Sequence, residues 1–534
     1  MSHHELDSAR PETDAATAVP SAGVPDMALR RAHLLHWIAG VPALCFLALV
    51  LMPPLNHDAA AVLDFAMRWL DGGRLYVDLI DVNPPLIFIL SLVPAAIAKF
   101  TPLDPPQALL LCLVAHAALL WRLSVALRRD RAEGPVEAAV LAAAIPLLLL
   151  LAGSDFGQRE VLMAMSAIPY ALLAARRIEG PPVAPRLAIA VAFAAAVAFA
   201  LKPHFLAVPL LVEALVLRRV GLRRALADPV PAVMGTVWGA YLLSIPILFP
   251  AYLREIVPIA LEFYGEIHGA GPVSVLVTDT MGAALPLLLL AAAIGLRGTS
   301  GTFAQALGLA AIGAFLSAWV QHKGWTYHVL PVTILSLAAL AAAAARQADR
   351  WLPPVRAAAA APTLAVIGAF AIGAYAVRGG ETPWRQIWFV QEQAGRLTEW
   401  LRREVRGGSI LVLSPEILPV YPSVIYAQSR PTLRTMSTWL LQGAYRTCPA
   451  GPTPYRQPAE MGAVEAMLFR TVAEDFARRP PRALLVARFA HMRGCPGRFD
   501  MLEYFARHPL FARTFQLFRP VGEMDGYRLY VRGA

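Results

Sequence analysis

From about residue 35 to 377 the chain alternates apolar runs with short polar interruptions, and most runs are long enough to cross a hydrocarbon core of about 30 Å. Eleven runs follow this pattern, at about 35–54, 107–127, 136–152, 161–175, 187–201, 203–217, 229–249, 273–295, 303–320, 329–345 and 357–377. The fifth and sixth are joined by almost nothing, which predicts a tight turn at Lys202 and Pro203. A further segment, Pro84 to Phe100, is apolar but short, opens on two prolines and contains Pro94, so it reads either as a span or as a helix lying in the interface. Beyond residue 377 the pattern changes. Short strand-like runs (Ile410–Leu413, Ala483–Ala487, Tyr527–Val531) stand between helix-like and proline-rich stretches, which predicts a small α/β domain.

Charge decides the ambiguous segment. If Pro84 to Phe100 stays on one side, the arginine-rich interruptions at 122–131, 176–186, 218–224 and 346–356 all fall on the side of Arg30 and Arg31. About seventeen Lys and Arg then face the cytoplasm and about seven lie opposite, as the positive-inside rule requires. If it crosses, every later loop inverts. The expected fold class is therefore an α-helical multi-pass membrane protein of about 11 transmembrane helices, with interfacial helices in the first outer loop and a small C-terminal α/β domain. The expected organisation is a disordered cytoplasmic tail over 1–29, a transmembrane domain over 30–377 and a periplasmic domain over 378–534. The tail is polar and lacks the apolar core of a signal peptide, so the first run is expected to remain as a membrane helix.

Composition agrees. At 57% hydrophobic and 16% charged, the chain is too apolar for a soluble enzyme of 534 residues. Its net charge of +10 sits in clusters between apolar runs, which is loop placement and excludes a nucleic-acid partner. Cys45 and Cys112 lie inside apolar runs as small hydrophobes, whereas Cys448 and Cys495 lie in the polar tail and are disulfide candidates.

With this orientation, the unusual polar residues gather on the outer face. The first outer loop holds Asn56-His57-Asp58, an amphipathic stretch (DFAMRWLDGG), then Tyr76, Asp78, Asp81 and Asn83. The second is SDFGQRE, with Asp155, Arg159 and Glu160; the third is Lys202-Pro203-His204; the fifth is QHKGWTYH, with Lys323, Trp325, Tyr327 and His328. The fourth offers Tyr252, Arg254, Glu255, Glu262, Tyr264, Glu266 and His268. Charges at span ends are costly unless they face a hydrated cavity or each other, so the gathering points to a site. Acids from the first loop meeting cations from later loops suit a reaction in which one group handles a proton while others hold a phosphate. Each residue also has a plainer reading. Asp58 is equally a helix N-cap, Asp81 a shaper of the turn into Asn83-Pro84-Pro85, Arg159 and Glu160 a self-neutralising pair, and Lys202 a snorkelling side chain. No histidine pair has the spacing of a helical metal motif, so no cofactor is expected and a divalent metal is not favoured.

The chain resembles the GT-C membrane glycosyltransferases, the superfamily of dolichyl-phosphate-mannose protein mannosyltransferases and bacterial aminoarabinose transferase-like enzymes. The resemblance rests on Asp58 after the first span, the amphipathic stretch, and the segment carrying Gly73, Tyr76, Asp78, Asp81, Pro84, Pro85 and Leu86. Members often carry an acidic pair where this chain has His57-Asp58. The resemblance implies inverting transfer of a sugar from a polyprenyl-phosphate donor to a cell-envelope acceptor (lipid, glycan or protein) on the periplasmic side of a bacterial inner membrane. Asp58 and Asp81 would be catalytic; Arg159, Lys202, Lys323 and His328 would hold the donor phosphate; His57, Tyr76, Asp155, Glu160, His204, Trp325 and Tyr327 would bind substrate. A polysaccharide polymerase or ligase shares these requirements. A transporter or flippase of lipid-linked sugars would show internal repeats and charges near the bilayer midplane, and neither is evident.

Overall fold

A computed structural model describes residues 26–264, 271–378, 381–488, 492, 494–495, 497 and 499–533. Glu266 and His268 lie outside the described residues, as does most of the expected tail. Helix α1 (Asp26–Leu51) begins inside that tail and is followed by α2 (His57–Leu70) and α3 (Pro85–Phe100). Then come α4 (Pro105–Arg128), α5 (Pro135–Leu150), α6 (Arg159–Glu179), α7 (Pro185–Phe199) and α8 (Ala207–Val220). The later long helices are α9 (Pro229–Leu248), α10 (Asp279–Arg297), α11 (Thr302–Val320), α12 (Thr326–Trp351) and α13 (Pro354–Val377). Among the described residues, eight of these helices are long and apolar enough to cross a membrane: α1, α4, α6, α9, α10, α11, α12 and α13. The expected runs at 136–152, 187–201 and 203–217 form the shorter helices α5, α7 and α8.

Local sequence explains the boundaries. Six helices (α3, α4, α5, α7, α9 and α13) open on proline, whose fixed φ suits the first turn and whose missing N–H is not needed there. Asp104 adds a capping box to α4. Helix α6 is buried almost all round and runs through the centre, in contact with α4, α7, α8, α11 and α12, while α9 keeps most of its surface exposed for lipid. Helices α10 and α11 approach closely at Gly295 and Gly308, where a Cβ on either would meet the other backbone.

Ion pairs tie the loops of one end together. Arg131 bonds Glu137 at 2.7 Å and Glu179 at 3.3 Å, Arg346 bonds Glu137 at 3.0 Å, and the Asp349 carboxylate accepts from the Val136 and Glu137 amides that start α5. The α4–α5, α6–α7 and α12–α13 connections therefore share one end of the bundle, and the polar loops singled out above lie at the other. The first loop begins and ends there too. The Leu55 amide donates to the Tyr426 hydroxyl at 3.1 Å, and Asp104 and Pro106 line a cleft with the same tyrosine. The chain makes no net crossing between residues 55 and 104, so Pro84 to Phe100 does not invert the later loops.

The C-terminal region forms a five-stranded sheet in the order β2-β1-β3-β5-β4, from β1 (Ser409–Leu413), β2 (Arg430–Pro431), β3 (Ala483–Ala487), β4 (Phe518–Met524) and β5 (Tyr527–Arg532). β1 pairs in parallel with β2 and β3, and β5 is antiparallel to β3 and β4. The strands expected from sequence are β1, β3 and β5; β2 and β4 are additional. Helices α14 (Gln393–Glu404) and α15 (Ala463–Arg478) belong to the same domain, as does the Cys448–Cys495 disulfide.

This domain is docked onto the first loop. The Tyr421 hydroxyl donates to Asp64 at 2.9 Å, Arg68 donates to the Leu433 carbonyl at 2.7 Å, and the Ile80 amide donates to the Arg434 carbonyl at 2.7 Å. Asp64 is buried, and Arg68 is its only ion-pair partner among the described residues, at 3.6 Å. Removing the hydroxyl in Tyr421→Phe leaves that carboxylate short of a donor and is expected to lower stability by about 1–3 kcal/mol, read as a lower unfolding temperature of the full chain. An unchanged unfolding temperature would exclude the bond as a docking contact.

Candidate active site

Two helix starts bring the central groups together. Asn56 caps α2: its Oδ1 accepts the Asp58 amide at 2.8 Å, and also a hydrogen bond from Gln158 Nε2 at 2.8 Å. Asn56 Nδ2 donates to Asp155 Oδ1 at 2.9 Å. Gln158, immediately before α6, also donates to Asp58 Oδ2 at 3.1 Å. The first and second outer loops are thus stitched by two amide side chains, and the stitching leaves Asp58 beside Arg159, whose Nη2 lies 3.4 Å from Asp58 Oδ2. Arg159 Nη1 donates to Asn83 Oδ1. Asn83 in turn is held by Asp81, whose Oδ1 accepts from the Asn83 amide at 2.8 Å and its side chain at 2.6 Å.

These residues face a cavity of about 540 Å³. His57, Asp58, Asp81, Asp155, Arg159, Trp325 and Tyr327 line it from the helical bundle, and Glu381, Arg385, Glu416, Trp439 and Gln442 line it from beyond α13. Helices α2, α6 and α12 all present their N-terminal turns to it, at Asp58, Arg159 and Thr326, so their dipoles add to the attraction for an anion. A second cavity of about 320 Å³ is almost wholly apolar, lined by Ile87, Leu90, Leu109, Leu113, Phe193 and Leu201 among others. Asp58, Val62 and Arg159 line both. The polar and apolar chambers therefore meet at the Asp58–Arg159 pair.

Electrostatics divides the three carboxyls. Burial works to raise Asp58, but His57, Arg159, the Gln158 amide and Lys202 together hold it below the usual carboxylate value. Burial pushes Asp81 up to about 6, against its bonds to Asn83 and the pull of Arg159. Asp155 rises to about 7, through burial and then the nearby negative charge of Glu381. Asp58 is thus the most readily ionised of the three at neutral pH. Because the folded Asp155 value lies above the roughly 3.9 of an unfolded chain, the folded protein keeps this proton between about pH 4 and 7 while the unfolded chain has released it. Its contribution to stability accordingly falls as pH rises through that window. In Asp155→Asn, which has nothing to titrate, the unfolding temperature is expected to drop less between pH 5 and pH 8 than in the native protein. Equal drops would remove Asp155 as a source of the slope.

The remaining predicted residues form two groups behind the cavity wall. Lys202 is buried, with its Nζ 2.6 Å from Glu160 Oε1 and 3.2 Å from Gln321 Oε1, and His328 Nε2 lies 3.5 Å from the same Glu160 oxygen. The His204 ring stacks edge-on with Phe205. Glu160 is bonded to Lys202, with His328 beside it, and does not line the cavity. Lys323 is buried with its Nζ 5.4 Å from the Trp325 ring centre. Tyr76 is 1% exposed, donates to the Asn83 carbonyl at 2.6 Å and packs on Phe88, Phe249 and Tyr252, so it supports the Asp81–Asn83 turn from behind. Of the fourth loop, Tyr252 joins that aromatic group; Arg254, Glu255 and Glu262 are exposed and do not line the cavity, and Tyr264 follows them in the chain. Among the described residues no group of three or more His, Cys, Asp and Glu side chains is placed to hold a metal ion.

Sequence reading did not single out Asn56 or Gln158 as positioning groups, although both stand inside the motifs it quoted. Glu381, Arg385, Glu416 and Gln442 carried no signal at all, since no motif surrounds them. No family model and no curated protein matches the chain. Among solved structures it is similar to ArnT from Cupriavidus metallidurans bound to undecaprenyl phosphate, with a TM-score of 0.55 and 14% identity, over 95% of this chain and 98% of that one. The apo state of ArnT from the same organism gives a TM-score of 0.55 and 15% identity, over 94% of this chain and 98% of that one. The fold is that of ArnT from the bundle to the C-terminal sheet, as the GT-C resemblance led one to expect.

Proposed function

We propose that the chain is a membrane glycosyltransferase that moves a sugar from a polyprenyl-phosphate donor to a hydroxyl of a cell-envelope acceptor, with inversion at the anomeric carbon. The observation that carries this reading is the meeting of a polar and an apolar chamber at Asp58 and Arg159. Such a junction suits an amphiphile whose phosphate stops at the guanidinium and whose chain continues into the apolar side. The solved neighbour that holds undecaprenyl phosphate supports the choice of lipid.

In this scheme the acceptor oxygen attacks the anomeric carbon, the bond from that carbon to the phosphate oxygen breaks, and Asp58 takes the acceptor proton. The leaving phosphate gains negative charge on oxygen. Arg159 and the N-terminal turns of α6 and α12 meet that charge, with Arg385 facing the same cavity. Lys202 and His328 act from behind through Glu160, and Lys323 beside Trp325. Asp81 fixes Asn83, and Asn83 fixes Arg159. The positive-inside pattern supports a periplasmic location for this end of the bundle and for the domain from residue 378 onward. The test is direct. Membranes containing the chain, given radiolabelled undecaprenyl-phosphate sugars and cell-envelope extract, should transfer label to an envelope component and release undecaprenyl phosphate. If neither exceeds membranes lacking the chain across a panel of donor sugars, the reading falls.

A further inference from the structure

One end of the C-terminal sheet is rimmed with arginine. Arg430 starts β2 opposite Ser409 at the start of β1, Arg482 precedes β3 with its amide on Ser409 Oγ at 3.0 Å, and Arg532 ends β5 with its amide on the Arg482 carbonyl at 2.9 Å. Arg406 enters the same rim from the turn between α14 and β1, where it and Gly407 take positive φ values of 51° and 70°. The last turn of α14 adds Arg402 and Arg403. All six side chains are exposed. Arg402 is paired with Glu399, and no ion pair within 4 Å joins the other five to a described carboxylate. Exposed guanidinium groups gathered on one strand-end rim make a local positive field that attracts an anion.

The rim's position says which anion. Arg402, Arg406 and Gly407 line a polar cleft of about 360 Å³ together with Asp104 and Pro106, and α4, a membrane-crossing helix, begins at Pro105. Tyr426, in the same cleft, also holds the Leu55 amide just beyond the end of α1. The cleft therefore sits where two helices leave the bilayer, at the level of lipid headgroups. Asp104 caps α4 with its carboxylate, which accepts from the Gln107 amide at 2.8 Å, and offsets one arginine charge in this cleft, leaving the rim net positive. The opposite end of β1 leads instead toward the reaction cavity, through Pro415 to Leu418.

We propose that this rim binds the phosphates of anionic membrane lipids and seats the C-terminal domain on the bilayer, independently of the donor and acceptor in the reaction cavity. A basic side chain at an anionic surface contributes about 1 kcal/mol, or roughly fivefold in affinity, and the effect is screened by salt. The test uses the purified full chain in neutral detergent, titrated with dihexanoyl phosphatidylglycerol, dihexanoyl phosphatidylcholine or inorganic phosphate. The glycerol lipid should bind at least tenfold more tightly than the choline lipid or phosphate, and less tightly as salt is raised. In R406A/R430A/R482A its dissociation constant should rise on the order of a hundredfold, with the lipid-free unfolding temperature unchanged because these side chains are exposed. Arg488→Ala, beyond the other end of β3, should leave it unchanged. Equal binding of the two lipids, phosphate binding as tightly as the glycerol lipid, salt-insensitive binding by the native chain, or a triple variant that binds like the native protein would each overturn the proposal. None of these readouts depends on transferase activity.

Discussion

Replacing Asp58 by Asn is expected to lower sugar transfer by about 10²–10⁴-fold while the protein folds and binds its lipid donor nearly as before. The substitution keeps size and shape. An Asn oxygen still accepts from Gln158 as the Asp58 carboxylate does at 3.1 Å, and the backbone amide at 58 still caps onto Asn56 at 2.8 Å. What is lost is a group that is ionised at neutral pH beside a guanidinium and open to the cavity, the only one of the three carboxyls discussed above whose proton affinity is lowered. Turnover measured in proteoliposomes, together with donor binding and unfolding temperature, separates the outcomes. Activity within tenfold of the native chain would show that the acceptor needs no base at this position, and attention would pass to Asp81.

The second large effect is expected at Arg159. This side chain bonds Asp58 and Asn83 at once and lines both chambers, a geometry that needs the fork of a guanidinium. Arg159→Lys retains one charge but reaches only one of these partners. It is expected to reduce turnover by about 10²–10³-fold and to weaken donor binding, since the same contact meets the phosphate before and after it gains charge. Arg159→Ala should lose at least as much. If the Lys variant kept native turnover and native donor affinity, the phosphate would have to be held elsewhere, with Arg385 the next candidate across the cavity.

The bundle was readable because lipid imposes a strong constraint: each of the eleven apolar runs is a helix, and proline punctuation marks where many begin. The α/β domain was readable only where it is buried. β1, β3 and β5 show as apolar runs, whereas β2 is two residues long and β4 is largely exposed, carries Pro520 and Gly522, and breaks register between them. At the site, Asp58, Asp81, Arg159, Trp325 and Tyr327 were legible since charged and aromatic groups at helix ends are unusual in an apolar chain. The separation of cavity-lining residues from those behind the wall was not legible. Whether Lys202 points at a substrate or at Glu160 depends on how α6 and the α7–α8 turn pack, which no local pattern records. Likewise Glu381, Glu416 and Trp439 join the cavity only because the C-terminal domain docks over it.

That docking also sets a timetable. The hydrogen bond from Tyr421 to Asp64 joins residues 357 positions apart, and the lid of the reaction cavity is synthesised after the whole helical bundle. During synthesis the nascent bundle displays Asp58 and Arg159 to the aqueous phase with no roof to exclude water. A chain that stops after α13 lacks every cavity contact from Glu381 to Gln442, so its cavity is left open on that side. Docking of the last domain is the event that closes the cavity.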